Sequence, residues 1–281
     1  MELKDSANTP AMPFTACHLA ERAVLSVSGP EAQSFLHTLV TADVTDGARL
    51  AYAGLLTPQG KLQFDFFIAR EAERFLIDCA ASQRDGLLKR LALYKLRARV
   101  VIAPAPELKV SVSPDTGIAD PRWDGMGFRS IGPEAPHGAS ASYHAHRIAS
   151  GIADTDQDLA SGDFFAHEAN LDQLNAVSFS KGCYVGQEIV ARMEHRGTAR
   201  SRILPVALDG AAPAHGTALT AGGKAIGTLL SSSGRLALAV VRLDKLQDAL
   251  SAGDAVSAEG RTATIMTPAW ARFHVPQPRT A

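Results

Sequence analysis

Residues 179–197 read FSKGCYVGQEIVARMEHRG, and they hold the side chain whose neighbours best suit it to chemistry. The chain has 281 residues and only three cysteines, Cys17, Cys79 and Cys183. Cys183 stands between Gly182 and Tyr184, with Lys181 just before and Gly186 just after. A helix is expected from about residue 186 to 196, which puts Cys183 on its N-terminal side. Unpaired backbone N–H groups and the positive end of the helix dipole favour an anion there. The Lys181 ammonium would act in the same direction, and cysteines in such settings ionise at about 3.5–7.5. Gly182 and Gly186 leave room for a ligand or a partner's backbone. Gln187 and Glu188 fall in the first helical turn, and Glu188, Arg192 and Arg196 share one face at i, i+4 spacing. The residues alone leave two readings open: a reactive thiolate with ligand-binding arginines, or a quiet cysteine in a glycine-shaped turn ahead of a solvated helix face.

The bulk numbers narrow the setting. A chain of 281 residues suggests two or three domains. With 46% apolar and 20% charged residues it can build a real core without a disulfide or metal staple. A net charge of −1 argues against a broad nucleic-acid footprint. Three widely spaced cysteines make neither a disulfide framework nor a CxxC site. A stably held iron–sulfur cluster would usually need about four thiolates. No apolar run approaches the ~20 residues of a membrane helix. The opening MELKDSANTPAMPF lacks a signal-peptide core, so it reads as a disordered lead-in on a cytoplasmic protein. His144 and His146 would share a strand face, but no third ligand is evident and no metal is expected. Serine-hydrolase and nucleotide-binding motifs are absent.

The elements that must position Cys183 can be read in outline. RAVLSVS (22–28) is a strand ending at Gly29-Pro30, and a helix follows that buries Phe35, Leu36, Leu39 and Val40. Two apolar strands flank the Thr57-Pro58-Gln59-Gly60 turn, which predicts a hairpin. RFLIDCA is a further strand. Leu87, Leu88, Leu91, Leu93 and Tyr94 then recur at helical spacing, with Ser82 as N-cap. RVVIAP and ELKVSVS read as strands, so residues 50–113 look like a compact α+β unit. Residues 114–170 are rich in Gly, Pro, Ser and Ala, with strands expected at MGFRSI and SASYHAHRI. From about residue 200 short strands at RSRILPVALDG, GKAIGTLLSSS, RLALAVVRL, DAVSAEG and RTATIMTP predict a barrel or sandwich.

The stretch E-A-N-L-D-x-L-x-A-V-S-F, then K-G-C-Y-x-G-Q-E and V-A-R-x-x-x-R-G, resembles the signature of the YgfZ family, folate-binding proteins related to the T-protein of glycine cleavage (aminomethyltransferase). Lys181, Gly182, Cys183, Tyr184, Gly186, Gln187, Glu188, Ala191-Arg192 and Arg196-Gly197 carry the match. It extends loosely over residues 20–205 and in pattern only beyond. The resemblance implies an α+β, three-domain ring of T-protein type with a C-terminal β-barrel. Its domains would be 1–49 plus 114–200 (folate-binding), 50–113 (ferredoxin-like) and 201–281 (barrel). It implies tetrahydrofolate as cofactor, with Asp65, Glu168, Arg192 and Arg196 as folate contacts. It also implies a role in assembly or repair of iron–sulfur clusters in client enzymes, tRNA-modifying ones included, with Cys183 as the essential group. Expected partners are folate and iron–sulfur proteins or assembly factors, with no membrane and no direct nucleic-acid contact. The chain departs from the T-protein at its hairpin, where Phe64 replaces the first of two aspartates and only Asp65 remains. Aminomethyl transfer is therefore the weaker alternative, beside a scaffold that binds no folate.

Overall fold

The computed structural model describes residues 12–197 and 199–278. The expected disordered lead-in falls largely outside them. In chain order the elements are β1 (Cys17–His18), β2 (Arg22–Ser28), α1 (Ala32–Leu39), β3 (Leu50–Leu56), β4 (Leu62–Arg70), β5 (Arg74–Ala80), α2 (Arg84–Lys95), β6 (Val101–Pro104), β7 (Lys109–Ser113), β8 (Ile118–Ala119), β9 (Phe128–Gly132), α3 (Ala141–Ala149) and α4 (Gln187–Arg196). They are followed by β10 (Ser201–Leu208), β11 (Ala218–Ala221), β12 (Lys224–Ser233), β13 (Leu236–Arg242), α5 (Leu243–Ala252), β14 (Val256–Ala258) and β15 (Arg261–Ile265).

Three sheets organise the chain. One is five-stranded in the order β3-β4-β5-β2-β6, a second is four-stranded in the order β1-β7-β9-β8, and β10-β13-β12-β11-β14-β15 close into a barrel. The five-stranded sheet is buried on both faces. Leu25, Val27, Phe66, Ile68 and Ile77 point to the side covered by α1 and α2, where Phe35, Leu36, Leu87 and Leu91 pack. Val24, Tyr52, Phe67 and Leu76 point the other way, into a core shared with Val110 and Val112 of the four-stranded sheet and with Tyr143 and Ile148 of α3. Such alternation follows from the period of two along a strand.

Strand pairing runs across the expected division of the chain. Strand β2, in the 1–49 segment expected to join residues 114–200, pairs with β5 and β6 inside the five-stranded sheet. Strand β7, at the end of the expected 50–113 unit, pairs with β1 and β9 in the other sheet. Local patterning marks a strand but does not name its hydrogen-bond partner.

Other elements also differ. SASYHAHRI is not a strand: residues 141–149 form α3. Tyr143, His146 and Arg147, three and four apart, turn to one buried side. His144 and His146, two apart on a helix, diverge, so they share no face. His144 Nε2 meets Glu21 at 2.9 Å, and His146 lies between the Met12 and Gly125 carbonyls at 2.6 and 2.8 Å. Ser82 does not cap α2, because its hydroxyl donates to Asp156 and Gln83 holds the cap position. Leu93 faces solvent. The barrel strands appear where expected, together with β11 and the helix α5, which the strand-by-strand reading passed over. The spacing of Leu246 and Ala249, both buried, and a left-handed Gly253 at the C-cap were its signal. Among the described residues, no helix is long and apolar enough to cross a membrane.

Candidate functional site

The hairpin of β3 and β4 turns at Thr57–Gly60, where the Gly60 N–H donates to the Thr57 carbonyl at 2.9 Å. Its tip packs against the start of α4. An added Cβ at Gly60, whose φ is +77°, would lie 2.7 Å from the Ile189 Cβ. Gly186 is the N-cap of α4 with φ +81°, and a Cβ there would lie 2.6 Å from the Thr57 carbonyl oxygen. Only glycine satisfies both conditions. Helix α4 thus begins at Gln187, slightly later than expected, and Cys183 is not its capping residue.

Cys183 is exposed, whereas Cys17 and Cys79 are buried and all three thiols are free. Burial raises the Cys79 thiol to about 12, so it is inert by comparison. Gly182 beside Cys183 has nothing within 4 Å of a would-be side chain, so the approach to the thiol is open.

What holds this exposed loop in place was not legible beforehand. Lys181 is buried and points away from solvent. Its ammonium donates to the backbone carbonyls of His37, Val40 and Ala42 at 2.5, 2.7 and 2.8 Å. These oxygens lie at and just after the C-terminus of α1, where helix carbonyls lack partners and a cation is favoured. Burial pushes the Lys181 pKa down to about 8. The three acceptors oppose that shift, because only the ammonium form has three N–H groups to give. Lys181 is therefore a strut tying the cysteine loop to α1, a part that its place beside Cys183 in the sequence did not suggest. The same segment is stitched by the Ser178 N–H to the Thr41 carbonyl at 2.9 Å. The Thr41 hydroxyl in turn donates to Ala176 at 2.5 Å and accepts from the Gly54 N–H at 2.8 Å. Thr41 is fully buried and gave no sequence signal beyond its place after α1. Tyr184 is buried beneath the Lys181 ammonium, 5.2 Å from Nζ to the ring centre, and burial raises its pKa to about 12.

The expected folate contacts do not converge on one point. Glu168 and Arg192 line one open cleft of about 360 Å³, with Phe165, Ile189, Arg200 and Arg242. Arg192 pairs with Glu188 across one turn at 2.8 Å, and both are solvent-exposed, so the pair adds little stability. Arg196 ends α4 and is exposed. Asp65 lies elsewhere, buried in β4. Successive strand residues face opposite ways, so Phe64 turns toward Gly86 of α2 while Asp65 shares the Phe67 side. Asp65 Oδ2 accepts from the Tyr52 hydroxyl at 2.9 Å. Asp65 Oδ1 is buried without a partner among the described residues. Burial raises the Asp65 pKa to about 6, with Arg22 opposing and Asp154 adding to the rise.

Around Phe67 on this side lies a buried ionic network that the sequence reading missed. The guanidinium groups of Arg129, Arg122 and Arg22 sit 3.9, 4.9 and 5.8 Å from the Phe67 ring centre. Asp78 bridges Arg22 and Arg129 at 2.6 Å each, and Asp120 binds Arg122 at 2.7 Å. The signal available was a charge placed within or at the start of otherwise apolar strands: Arg22 in RAVLSVS, Asp78 in RFLIDCA and Arg129 in GFRSI. His167, Asp172 and Glu194 form the one group among the described residues with metal-like proximity. Asp172 commits both oxygens to Arg202 at 2.6 and 3.0 Å, so that space already holds a guanidinium cation.

Comparison with known proteins agrees with this architecture. Residues 200–273 match the family model described as the CAF17 C-terminal beta-barrel domain. The glycine cleavage system aminomethyltransferase T from Bartonella henselae superposes with a TM-score of 0.72 over 92% of this chain and 86% of that one, at 14% identity. That likeness shows the α+β T-protein-type fold. The human protein named iron-sulfur cluster assembly factor IBA57, mitochondrial, is 34% identical over 283 residues, covering 84% of this chain and 80% of the relative. The mouse protein of the same name is 33% identical over 286 residues, with the same coverage of 84% and 80%. These names overturn the cytoplasmic expectation, since the relatives are mitochondrial proteins. The composition of a folded chain does not encode its compartment, which is read from address signals. With 34% identity across 84% of its length, the chain belongs to the family of the iron–sulfur cluster assembly factor IBA57.

Proposed function

We propose that this protein binds reduced folate and acts as an accessory factor in the assembly or repair of iron–sulfur clusters, with Cys183 as the group that engages the cluster. The observation that carries the reading is an exposed cysteine on a loop braced from beneath by a buried lysine, in a chain whose relatives are named iron–sulfur cluster assembly factors. The YgfZ-like motif around Cys183 supports the same role, and clients that modify tRNA follow from that resemblance.

The step assigned to Cys183 is a ligand exchange. The thiol proton leaves to solvent, the sulfur pair binds an iron of the cluster, and the displaced thiolate of the donor takes up a proton. No electron changes hands. Bare glycine on one side and an unobstructed approach let a large inorganic cargo reach the sulfur. One cysteine holds a cluster weakly, which suits passage rather than storage.

The residues fit a folate on one point of chemistry. Asp65 Oδ1 is a buried acceptor without a donor, which a pterin N–H would supply. Tyr52 fixes the carboxyl group from the other oxygen. Glu168 and Arg192 in the separate cleft, and Arg196 beyond it, would contact the glutamate end only if the ligand spans from Asp65 to α4. When bound, reduced folate supplies one-carbon or reducing chemistry; the chain's own part is to orient it through Asp65. A single carboxylate in place of a pair makes aminomethyl transfer the lesser reading.

The test is to express Cys183→Ser in a strain lacking the protein and assay a [4Fe–4S] enzyme. The variant should keep the wild-type melting temperature and lose client activity. Full restoration of the client by the Ser variant refutes the role. Tetrahydrofolate titrated against the fluorescence of Trp123 and Trp270 should quench it; no quenching and no rise in melting temperature would favour a scaffold without folate.

A further inference from the structure

Asp65 has one oxygen held and one free. Tyr52 donates to Oδ2 at 2.9 Å, and Oδ1 is buried without a partner among the described residues. Burial raises the Asp65 pKa to about 6, and the nearby guanidinium groups of Arg22 and Arg122 both oppose the rise. Neither comes within 4.0 Å of the carboxylate, so no ion pair closes the space between them. A buried acceptor beside buried donors, without contact, suits a guest that carries both kinds of group.

Arg122 is the better placed donor. Its segment follows β8, where the Asp120 N–H donates to the Gly127 carbonyl at 2.9 Å and the Asn175 amide donates to the Pro121 carbonyl at 2.9 Å. Asp120 grips one side of the Arg122 fork, taking Nε and Nη2 at 3.0 and 2.7 Å, and Nη2 also donates to the Tyr143 hydroxyl at 2.9 Å. Nη1 has no partner among the described residues. The guanidinium carbon lies 5.7 Å from the centre of the Tyr52 ring, whose hydroxyl holds Asp65, and 4.9 Å from that of Phe67. Arg22 gives its Nε and Nη2 to the side chain and backbone carbonyl of Asp78 at 2.6 and 2.8 Å, and its guanidinium carbon is 5.8 Å from the Phe67 centre.

We propose that Arg122 is a specificity residue of the folate site: Asp65 Oδ1 accepts from a ring N–H while Arg122 Nη1 donates to the ring carbonyl beside it. The guest is chosen by a lactam edge, an N–H next to a C=O, as the pteridine of reduced folate presents. The inference rests on the folate reading above. It assigns the rejection of close analogues to Arg122 rather than to Asp65. A 2,4-diamino ring can still offer N–H groups to a carboxylate, but it turns an amino donor toward the guanidinium donor.

The test measures binding of tetrahydrofolate and of its 4-amino analogue, tetrahydroaminopterin, by calorimetry with the full chain, in wild type, Arg122→Lys and Arg122→Gln. Wild type should prefer tetrahydrofolate at least tenfold. Both variants keep a donor for Asp120, and either one that melts in a single cooperative transition serves the comparison. In that variant the preference should fall to about threefold or less. Equal binding of the two compounds by wild type would overturn the inference and leave folate binding standing. So would a preference that survives in the Arg122 variants, or one that is lost instead in Arg22→Lys. Binding of neither compound would remove the folate reading itself, and this inference with it. Guanosine presents the same edge, and tighter binding of guanosine than of tetrahydrofolate would overturn the assignment of the site to folate.

Discussion

Replacing Lys181 separates two jobs that a lysine beside a reactive cysteine can have. Its ammonium makes three hydrogen bonds of 2.5–2.8 Å to carbonyls at the end of α1, in a buried setting. A hydrogen bond from a charged donor contributes about 1.5–3 kcal/mol, and such contributions are less than additive within one network. Lys181→Met keeps most of the stem and removes all three bonds. The carbonyls at the helix end can partly recover through water, so a net loss of about 3 kcal/mol is expected. At ~2–4 °C per kcal/mol this lowers the melting midpoint by about 6–12 °C. Lys181→Arg is the sharper probe. It keeps a positive charge near the thiol, but a planar fork cannot serve three converging carbonyls as a compact ammonium does. The strut reading expects the Arg variant to lose about 2 kcal/mol in urea denaturation. It also expects amide exchange across residues 178–184 to accelerate in both variants. An Arg variant of wild-type stability, or a Met variant losing under ~1 kcal/mol, would refute the reasoning and return Lys181 to an electrostatic role.

The remaining predictions draw on other parts of the site. Asp65 has a folded pKa of about 6 against an ordinary value near 4, so the native state binds the extra proton between them. Stability contributed by that proton is present below about pH 4 and lost by about pH 6, worth at most ~3 kcal/mol. Asp65→Asn should flatten this dependence, raise stability at pH 7 and weaken tetrahydrofolate binding at least tenfold; unchanged folate affinity would remove Asp65 from the ligand. Asp78→Ala strands two buried arginines, Arg22 and Arg129, and should cost about 3–5 kcal/mol in denaturant titration; a loss below ~1 kcal/mol would show the network is slack. Gly186→Ala meets a positive φ and the Thr57 carbonyl at 2.6 Å, so it should destabilise by more than ~2 kcal/mol. Gly182→Ala meets nothing within 4 Å and should stay within about 0.5 kcal/mol of wild type; similar melts for the two would contradict the close packing of the hairpin tip on α4.

The amino-acid sequence determined the elements whose signals are local. The turn at Thr57–Gly60, helix α1 with its buried Phe35, Leu36 and Leu39, the strands of the barrel and the helix after Cys183 all follow from periodicity, turn residues and glycine placement. It also singled out Cys183, because a lone cysteine among glycines and charges does not read as core. It misread SASYHAHRI, where alternating polar and aromatic residues fit a period of two as well as a buried helical side, and only packing against the core chose the helix. It could not assign β2 and β7 to their sheets, since hydrogen-bond partners lie dozens of residues away. Tertiary structure alone decided the part Lys181 plays. Its neighbours in the chain suggested a charge beside the thiol, while its partners in space are three carbonyls some 140 residues earlier. The same holds for Asp65, whose raised pKa comes from burial and from groups on other strands. Conformational preference acts between near neighbours and is written in the order of residues, whereas burial and electrostatics act across whatever folding brings together.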